Sequence, residues 1–414
     1  MLYGCQSGRQ TGEPSVEPEQ QKEAVTAPQE QKEDRKSATE ESSPAAQAVK
    51  GFALGADISW ETLMEKNGQK LYNFEGAESW ECTALMKDLG LNAVRLRVWV
   101  DPESLFNAEQ QRRAELTGQA SDAVYSHKGS CDKQDLLEKA LRAKKLGMDI
   151  MVDFHYSDDW ADGDKQPVPQ SWKGHSYEEM KEDLRKHTID VLSYLKENGV
   201  KPKWVQVGNE TSHGMLWSYK SGRDAKQSNG EKAFEDDMGR IETHPEQYAG
   251  FIQAGCKAVK SVFPHAITIV HLDNGWKPDL YDRNLGILEK NGVDYDMVGM
   301  SVYPYWAKAN GLNNADLVID ECIANIKHVH DRFGKESIIV ETGFECNESQ
   351  PKTLTEGYRL LSKLIRESVS NTDGHCHGVF YWEPECRPSQ YKLGAFTKEG
   401  RPTVIMNAFK EYSN

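Results

Sequence analysis

The stretch WVQVGNE, residues 204–210, places a short apolar run directly before a polar Gly-Asn-Glu end. Three other segments have the same form: MVDFHYSD at 151–158, IVHLDNG at 269–275 and IIVETGF at 338–344. Near-continuous apolar runs of this length are typical of strands in a parallel sheet that is buried on both faces. The polar residues would then gather at the carboxyl ends of those strands.

Eight segments of this kind predict strands, and longer amphipathic stretches lie between them. The strands are expected at 52–58, 93–99, 149–155, 204–209, 267–272, 297–303, 338–342 and 379–382. Helical patterns with apolar residues on one face occur at 132–147, 177–199, 245–263 and 353–370. Parallel neighbours need such crossover connections, and eight strand–helix units close into a barrel. We therefore predict an α/β fold, a single (β/α)8 TIM barrel that forms one catalytic domain over residues 51–414.

The composition excludes several classes of protein. Hydrophobic residues make up 38% of the 414 residues and charged residues 28%, as in a globular protein. No stretch approaches the roughly 18 consecutive apolar residues of a membrane-spanning helix. The 65 acidic and 50 basic residues give a net charge of −15, which argues against a nucleic-acid partner. Ten Trp and sixteen Tyr suit stacking on the flat apolar faces of neutral ligands.

The first 50 residues differ from the rest. Residues 6–50 contain no aromatic residue and no Leu, Ile or Met, so we predict a disordered tether. It begins with Leu-Tyr-Gly-Cys at 2–5, which resembles the end of a bacterial lipoprotein signal, although no apolar region precedes it. The resemblance implies lipidation of Cys5, membrane attachment only through this terminus, and a place on the outer-membrane surface of a Gram-negative bacterium. The alternatives are a secreted protein and an accidental Cys near a start Met.

Two glutamates follow predicted strands, Glu210 after the fourth and Glu341 within the end of the seventh. Active sites of (β/α)8 barrels lie at the carboxyl ends of the strands, so both are candidates by position. An acid at the end of an apolar strand is costly unless it is paired or functional. Two carboxylates at a barrel mouth form the pair that hydrolyses a glycosidic bond, one protonating the leaving oxygen and the other attacking the anomeric carbon.

An Asn-Glu pair that ends strand four and a Glu that ends strand seven resemble the large clan of retaining glycoside hydrolases built on this barrel. That resemblance implies Glu210 as acid/base and Glu341 as nucleophile. It also implies that Asn209 binds the sugar 2-hydroxyl and that Arg97 supports the nucleophile. The other clan positions matched are His155 after strand three, Tyr303 as a hydrogen-bond donor to Glu341, and Trp382 as a platform under the reacting sugar.

Seven blocks of sequence narrow the resemblance from the clan to one family. They are GADIS (55–59), RLRVWVDP (95–102), DFHYSDDWADGDKQPVPQSW (153–172), VQVGNETSHGMLW (205–217), HLDNGW (271–276), SVYPYW (301–306) and YWEPE (381–385). Together they resemble glycoside hydrolase family 53, the endo-β-1,4-galactanases that cut arabinogalactan type I side chains of pectin. The resemblance runs from about residue 51 to the end of the chain. It implies retaining endo-hydrolysis of galactan, although endo and exo action cannot be distinguished from sequence.

Further substrate-binding candidates come from residue type and position. Trp99 and Trp306 follow strand ends and could cover the apolar face of a pyranose ring. Side chains that could bind sugar hydroxyls are Asp57, Asp273 and Asn274. His271 is expected either to bind the carbohydrate or to form hydrogen bonds at the top of the barrel. Asp153 shares its strand face with His155 but lies one layer deeper, so a structural role is expected there.

The sequence predicts no cofactor and no metal site. The seven cysteines after residue 51 lack CxxC spacing and are expected to be buried thiols, with a Cys346–Cys386 disulfide as an alternative. His330 lies before strand seven, and His375 and His377 flank Cys376 before strand eight, all away from the mouth. A galactan polysaccharide is the expected partner of a monomeric protein. The competing functions are a same-clan hydrolase of mannan, glucan or arabinan, and an inactive glycan-binding lipoprotein.

Overall fold

The computed structural model describes residues 51–79, 81–103, 130–219 and 234–413. The predictions for residues 1–50, which include the tether and the lipidation of Cys5, lie outside these described residues. In the described part of the chain, no helix is both long and apolar enough to cross a membrane.

Eight parallel strands, numbered here β1–β8 along the chain, close into a barrel. Each strand pairs with its sequence neighbours, and β8 returns to β1 with Ala53 opposite Gly378 and Asp57 opposite Trp382. This confirms the predicted (β/α)8 architecture, with each strand end within three residues of its expected position. The strands are Ala53–Asp57, Ala93–Val98, Asp149–Phe154, Trp204–Val207, Ile267–Leu272, Met297–Val302, Glu336–Thr342 and Cys376–Trp382.

Helices cover the outside of the barrel, and the four predicted ones are present. Asp132 caps one of them by accepting a hydrogen bond from the Asp135 N–H, and Ser176 forms a capping box with Glu179. Within the described ranges, the α-helices with assigned bounds are Glu61–Lys66, Cys82–Asp88, Lys133–Lys145, Tyr177–Glu197, Pro245–Val262, Pro278–Lys290, Pro304–Ala307, Ala315–Phe333, Pro351–Ser370 and Asn407–Lys410. Short 3-10 turns lie at Gln170–Trp172, Lys308–Asn310 and Val404–Met406, and two-stranded sheets pair Leu71–Tyr72 with Glu78–Ser79 and Ser218–Tyr219 with Phe234–Asp236.

The interior of the barrel is filled by side chains. Trp204 and Phe380 are buried in a separate apolar cluster, with their ring centroids 6.1 Å apart at 89°. Gly55 makes room for Phe380, since a Cβ on this glycine would lie 2.3 Å from the Phe380 ring. The filled interior leaves the strand ends as the place for a ligand.

The seven cysteines of the described residues are all buried, and none forms a disulfide. The alternative of a Cys346–Cys386 disulfide is therefore wrong. Cys346 instead places its Sγ 3.5 Å from the carbonyl oxygen of Phe396. These residues act as small apolar side chains in the core.

Candidate active site

A cavity of about 880 Å³ opens at the carboxyl ends of the barrel strands. Both candidate acids, Glu210 and Glu341, line it. Its position and size are those of a substrate site in this fold. Nine of the predicted site residues line this cavity, namely Glu210, Glu341, His155, Asn209, Asp273, Asn274, Tyr303, Trp306 and Trp382.

Glu210 follows β4 with a backbone φ of 45°, a conformation that residues with a side chain rarely adopt. Its Oε1 accepts a hydrogen bond of 2.6 Å from the Ser301 hydroxyl, and its Oε2 lies 3.4 Å from the Gly163 N–H. Within the described ranges, no Lys or Arg forms an ion pair with this carboxylate. Burial, followed by the negative charges of Glu341 and Asp273, raises the pKa of Glu210 well above its ordinary value.

Glu341 lies near the end of β7 in a different environment. Its Oε1 is 2.9 Å from Nη1 of Arg95, and its Oε2 accepts a 2.9 Å hydrogen bond from the Tyr303 hydroxyl. Burial raises the pKa of Glu341 to about 7, against the lowering effect of the Arg95 guanidinium and the Tyr303 hydroxyl. Glu341 contacts a cation, and Glu210 contacts none among the described residues. Glu210 is therefore the more readily protonated of the two carboxylates.

The two carboxylates are close enough to act on one bond. One ligand atom from each of Glu210, Glu341 and His271 lies within 4.8 Å of the other two. Retaining glycosidases hold their carboxyl groups about 5–5.5 Å apart, whereas inverting enzymes need about 6.5–9.5 Å to admit a water molecule. The separation favours direct attack by one carboxylate on the sugar.

The prediction that Arg97 supports the nucleophile is wrong, because Arg95 does so. Arg97 is fully buried and places its Nη1 2.9 Å from Oε1 of Glu383, under the ring of Trp160. Both arginines point to the same side of β2, since side chains two residues apart share a face. Arg95 starts one layer deeper, yet its long side chain reaches Glu341.

Asp57 belongs to the layer beneath the cavity, so its prediction as a direct sugar ligand is wrong. It is fully buried, and its Oδ2 lies 2.8 Å from Nη1 of Arg95. Asp153 contacts Nη2 of the same guanidinium at 2.9 Å, in the structural role expected for it. The Arg95 guanidinium therefore holds the carboxylates of Asp57 and Asp153 in place below the cavity.

Trp99 does not face the cavity, and its prediction as a sugar platform is also wrong. Its side chain is fully buried and packs edge-on against Trp60 and Trp160, with ring centroids 5.8 and 5.6 Å apart. Trp160 lines the cavity in its place and lies 5.7 Å from Trp382. Trp306 is 42% exposed and offers an open ring face elsewhere along the cavity.

His271 is buried behind the acid and does not line the cavity, which corrects its prediction as a sugar ligand. Its Nδ1 accepts the backbone N–H of Glu210 at 3.2 Å, and its Nε2 lies 2.8 Å from Oγ of Ser301. Burial and nearby Arg95 hold the pKa of His271 well below its usual range, so the ring is neutral. The ring proton therefore sits on Nε2 and is donated to Ser301, whose own proton is donated to Glu210. Because both nitrogens are engaged, His271 is poorly placed to bind a metal with the two acids.

The remaining polar residues at the mouth are held in place by neighbours. Asn209 accepts a 2.7 Å hydrogen bond from Nη2 of Arg95 and donates one of 2.8 Å to the Ala161 carbonyl. His155 has its Nε2 3.0 Å from Asp153 and accepts the Ala161 N–H at its Nδ1. Asp273 accepts a hydrogen bond from the Ser212 hydroxyl. These contacts leave one Asn209 amide proton to donate to a sugar hydroxyl.

Sequence reasoning missed four residues of this site. They are Arg95, Ser301, Trp160 and Tyr391, of which the last three line the cavity. Ser301 opens the block SVYPYW at the end of β6, so its position alone could have identified it. Tyr391 lies in the loop after β8, 4.6 Å from the ring of Trp382, and no motif marks it.

Comparisons with known proteins agree with this geometry. The sequence profile described as glycosyl hydrolase family 53 matches residues 53–403. A Niallia circulans protein, described as an uncharacterized protein in the bgaB 5′ region, is 31% identical over 82% of this chain and 85% of its own length. The endo-beta-1,4-galactanase of Bacillus subtilis is 29% identical over 82% of this chain and 71% of its own length.

A solved structure gives the same fold. The Ignisphaera aggregans GH53 catalytic domain superposes with a TM-score of 0.71 at 24% identity, covering 90% of this chain and 99% of that domain. The profile match spans most of the chain, including β1–β8 and both candidate acids. The chain therefore belongs to glycosyl hydrolase family 53.

Proposed function

We propose that this protein hydrolyses internal β-1,4-galactosidic bonds with retention of configuration, using Glu210 as acid/base and Glu341 as nucleophile. The observation that carries the proposal is a pair of carboxylates, one buried (Glu341) and one half-buried (Glu210), within 4.8 Å of each other in unequal surroundings. Glu341 contacts the Arg95 guanidinium, and Glu210 contacts the neutral Ser301 hydroxyl. The galactanase name of the Bacillus subtilis relative supports the substrate.

The geometry assigns each step to a side chain. Glu210 donates its proton to the leaving glycosidic oxygen while a Glu341 oxygen attacks the anomeric carbon and forms a glycosyl ester. The ester removes the charge of Glu341, which is one cause of the raised pKa of Glu210. Glu210, now deprotonated, then takes a proton from the water that cleaves the ester, and both carboxyl groups return to their starting states.

The substrate class follows from the cavity wall. Trp160, Trp382, Trp306 and Tyr391 give it aromatic surface, which suits the apolar faces of pyranose rings. The net charge of −15 suits a neutral galactan better than an acidic pectin backbone. We therefore assign the galactan side chains of arabinogalactan type I in pectin as the natural substrate.

The test is hydrolysis of galactan, mannan, cellulose and arabinan in parallel, followed as a product time course. We expect galacto-oligosaccharides of several lengths early in the reaction, because endo cleavage cuts inside the chain. Release of sugar from mannan, cellulose or arabinan alone would assign another same-clan polymer.

The Glu341→Ala variant separates the enzyme from a glycan-binding protein. We expect it to retain galactan binding in affinity electrophoresis and to lose turnover. The absence of turnover in the unaltered protein, with binding intact, would instead support an inactive glycan-binding lipoprotein.

We further propose that the chain acts as a monomer held at the outer-membrane surface by a lipid on Cys5. The Leu-Tyr-Gly-Cys sequence and the polar stretch that follows it support this placement. Metabolic labelling with a radioactive fatty acid should mark the unaltered protein and not Cys5→Ala. Label in both proteins or in neither would contradict the proposal, and light scattering of the purified protein tests the monomer.

A further inference from the structure

A cluster of three histidines and one glutamate lies at the opposite end of the barrel from the cavity. His330 is in the last turn of the helix Ala315–Phe333, Glu336 opens β7, and His375 and His377 lie at the start of β8. The side chains are between 26% and 41% exposed, so solvent reaches them. None of them takes part in the proposed reaction.

The nitrogen and oxygen atoms of this cluster lie close together. Nδ1 of His330 and Nδ1 of His375 each lie 3.2 Å from the same oxygen, Oε1 of Glu336. One ligand atom from each of these three residues lies within 4.8 Å of the other two. The other carboxylate oxygen, Oε2, is 2.8 Å from Nε2 of His377, which fixes its orientation.

Hydrogen bonds to Glu336 account for the positions of His375 and His377 but not for that of His330. The rings of His330 and His375 stack with centroids 3.3 Å apart, so two protonated rings would repel each other. Nδ1 of His330 is buried and has no hydrogen-bond partner among the described residues, because its approach to Glu336 is poorly aligned. An unpartnered nitrogen therefore lies 3.2 Å from the carboxylate oxygen that also contacts His375.

Two of the three ligand spacings match a tetrahedral metal ion. Zinc binds His nitrogen and carboxylate oxygen at about 2.0–2.1 Å, so two ligands at a tetrahedral angle lie roughly 3.3 Å apart. The two nitrogen–oxygen distances of 3.2 Å agree with that edge and exceed those of a short charge-assisted hydrogen bond. Imidazole nitrogen and carboxylate oxygen are also the donors that suit zinc and its neighbours in the first transition row.

We propose that His330, Glu336 and His375 bind a divalent transition-metal ion of the zinc type, with His377 as the residue that orients the carboxylate. Water would complete the coordination on the exposed side. The ion would join the end of one helix to the first residues of β7 and β8, at the face of the barrel where residues serve stability rather than catalysis. A cavity of about 360 Å³ that is lined by Glu336 and His377 lies beside the proposed site.

The test uses the full chain without a histidine tag, freed of metal with a chelator and titrated with Zn²⁺ by calorimetry near neutral pH. We expect one zinc ion per chain, a higher Tm with zinc, and loss of both effects in His375→Ala and Glu336→Gln. The His377→Ala variant should bind zinc about 10–100-fold more weakly, because an orienting partner is lost. This graded variant keeps the test informative if a ligand variant folds poorly.

The matched control is His328→Ala, on the same helix and paired with Asp282 at 2.7 Å outside the cluster. It should bind zinc as the unaltered protein does, and circular dichroism confirms the fold of each variant. The proposal is overturned if the unaltered protein binds no zinc, or if His375→Ala and Glu336→Gln bind it undiminished. If these two variants bind zinc undiminished and zinc also inhibits galactan hydrolysis, the ion binds at Glu210 and Glu341 instead.

Discussion

Removing the Ser301 hydroxyl should shift the pH dependence of the enzyme in a predictable direction. Ser301 donates a 2.6 Å hydrogen bond to Oε1 of Glu210 and stabilises its charged form. A hydrogen bond to a charged group contributes about 1.5–3 kcal/mol, and about 1.4 kcal/mol corresponds to one pKa unit. In Ser301→Ala the pKa of Glu210 should therefore rise by about 1–2 units.

The sign of the effect can be read from the rate profile. Glu210 must hold a proton to start the reaction, so the alkaline limb of kcat/KM reports its pKa in the free enzyme. A higher pKa moves that limb to higher pH, while the acidic limb, set by Glu341, stays in place. The assay is galactan hydrolysis at a series of pH values.

The same substitution should also lower the free energy of unfolding. It leaves the Nε2–H of buried His271 without its Ser301 acceptor, which should cost about 1–3 kcal/mol in denaturant unfolding. Ser261→Ala is the control, because its hydroxyl bonds the Ala258 carbonyl within the outer helix Pro245–Val262 and does not line the cavity. An alkaline limb that stays fixed or moves to lower pH in Ser301→Ala would refute the reasoning.

Three further predictions follow from the described contacts. Arg95→Lys should raise the pKa of Glu341 by about one unit and so move the acidic limb of the kcat/KM profile to higher pH, whereas Arg97→Lys should leave that limb in place. Equal shifts in the two variants would contradict the assignment of Arg95 as the residue that supports Glu341. Burial raises the pKa of Glu61 to about 7, so the folded state binds more protons than the unfolded state and the free energy of unfolding should fall as pH rises from about 4.5 to 7. Glu61→Gln should remove up to about 3 kcal/mol of that fall, measured by urea unfolding, and an unchanged dependence of the unfolding free energy on pH would contradict this prediction. Trp382→Ala should weaken galacto-oligosaccharide binding by about 1–2 kcal/mol in calorimetry while the Tm changes little, and unchanged affinity would exclude Trp382 as a sugar platform.

The backbone architecture was predictable because apolar runs and polar strand ends recur along the chain. The expected strand at 267–272 agrees with the structure at both ends, and the helix after Ser176 begins at the expected residue. Glu210 and Glu341 were identifiable because burying an acid at the end of an apolar strand costs free energy that only a partner or a function offsets. These features depend on local sequence alone.

The predictions of site residues were wrong where the length of a side chain, or its packing against residues distant in sequence, determines its contacts. Arg95 and Arg97 share one face of β2, so the pattern could not show which guanidinium extends to Glu341. Trp99 follows a strand end, but its neighbours Trp60 and Trp160 come from distant loops and cover it. The histidines at the other end of the barrel come from a helix and two strands, and spacing along the chain gave no sign that they meet.

The charged residues buried below the cavity, at the carboxyl ends of the barrel strands, affect the electrostatic stabilisation of the transition state. Asp57, Asp153 and Glu341 all contact the guanidinium of Arg95, and Arg97 lies 3.9 Å from Asp57, so three carboxylates face two guanidinium groups there. A surplus of buried negative charge stabilises positive charge on the ring above it, as in an oxocarbenium-like transition state. A galactose-shaped ring that carries a protonated nitrogen should therefore bind this mouth more tightly than the neutral sugar of the same shape.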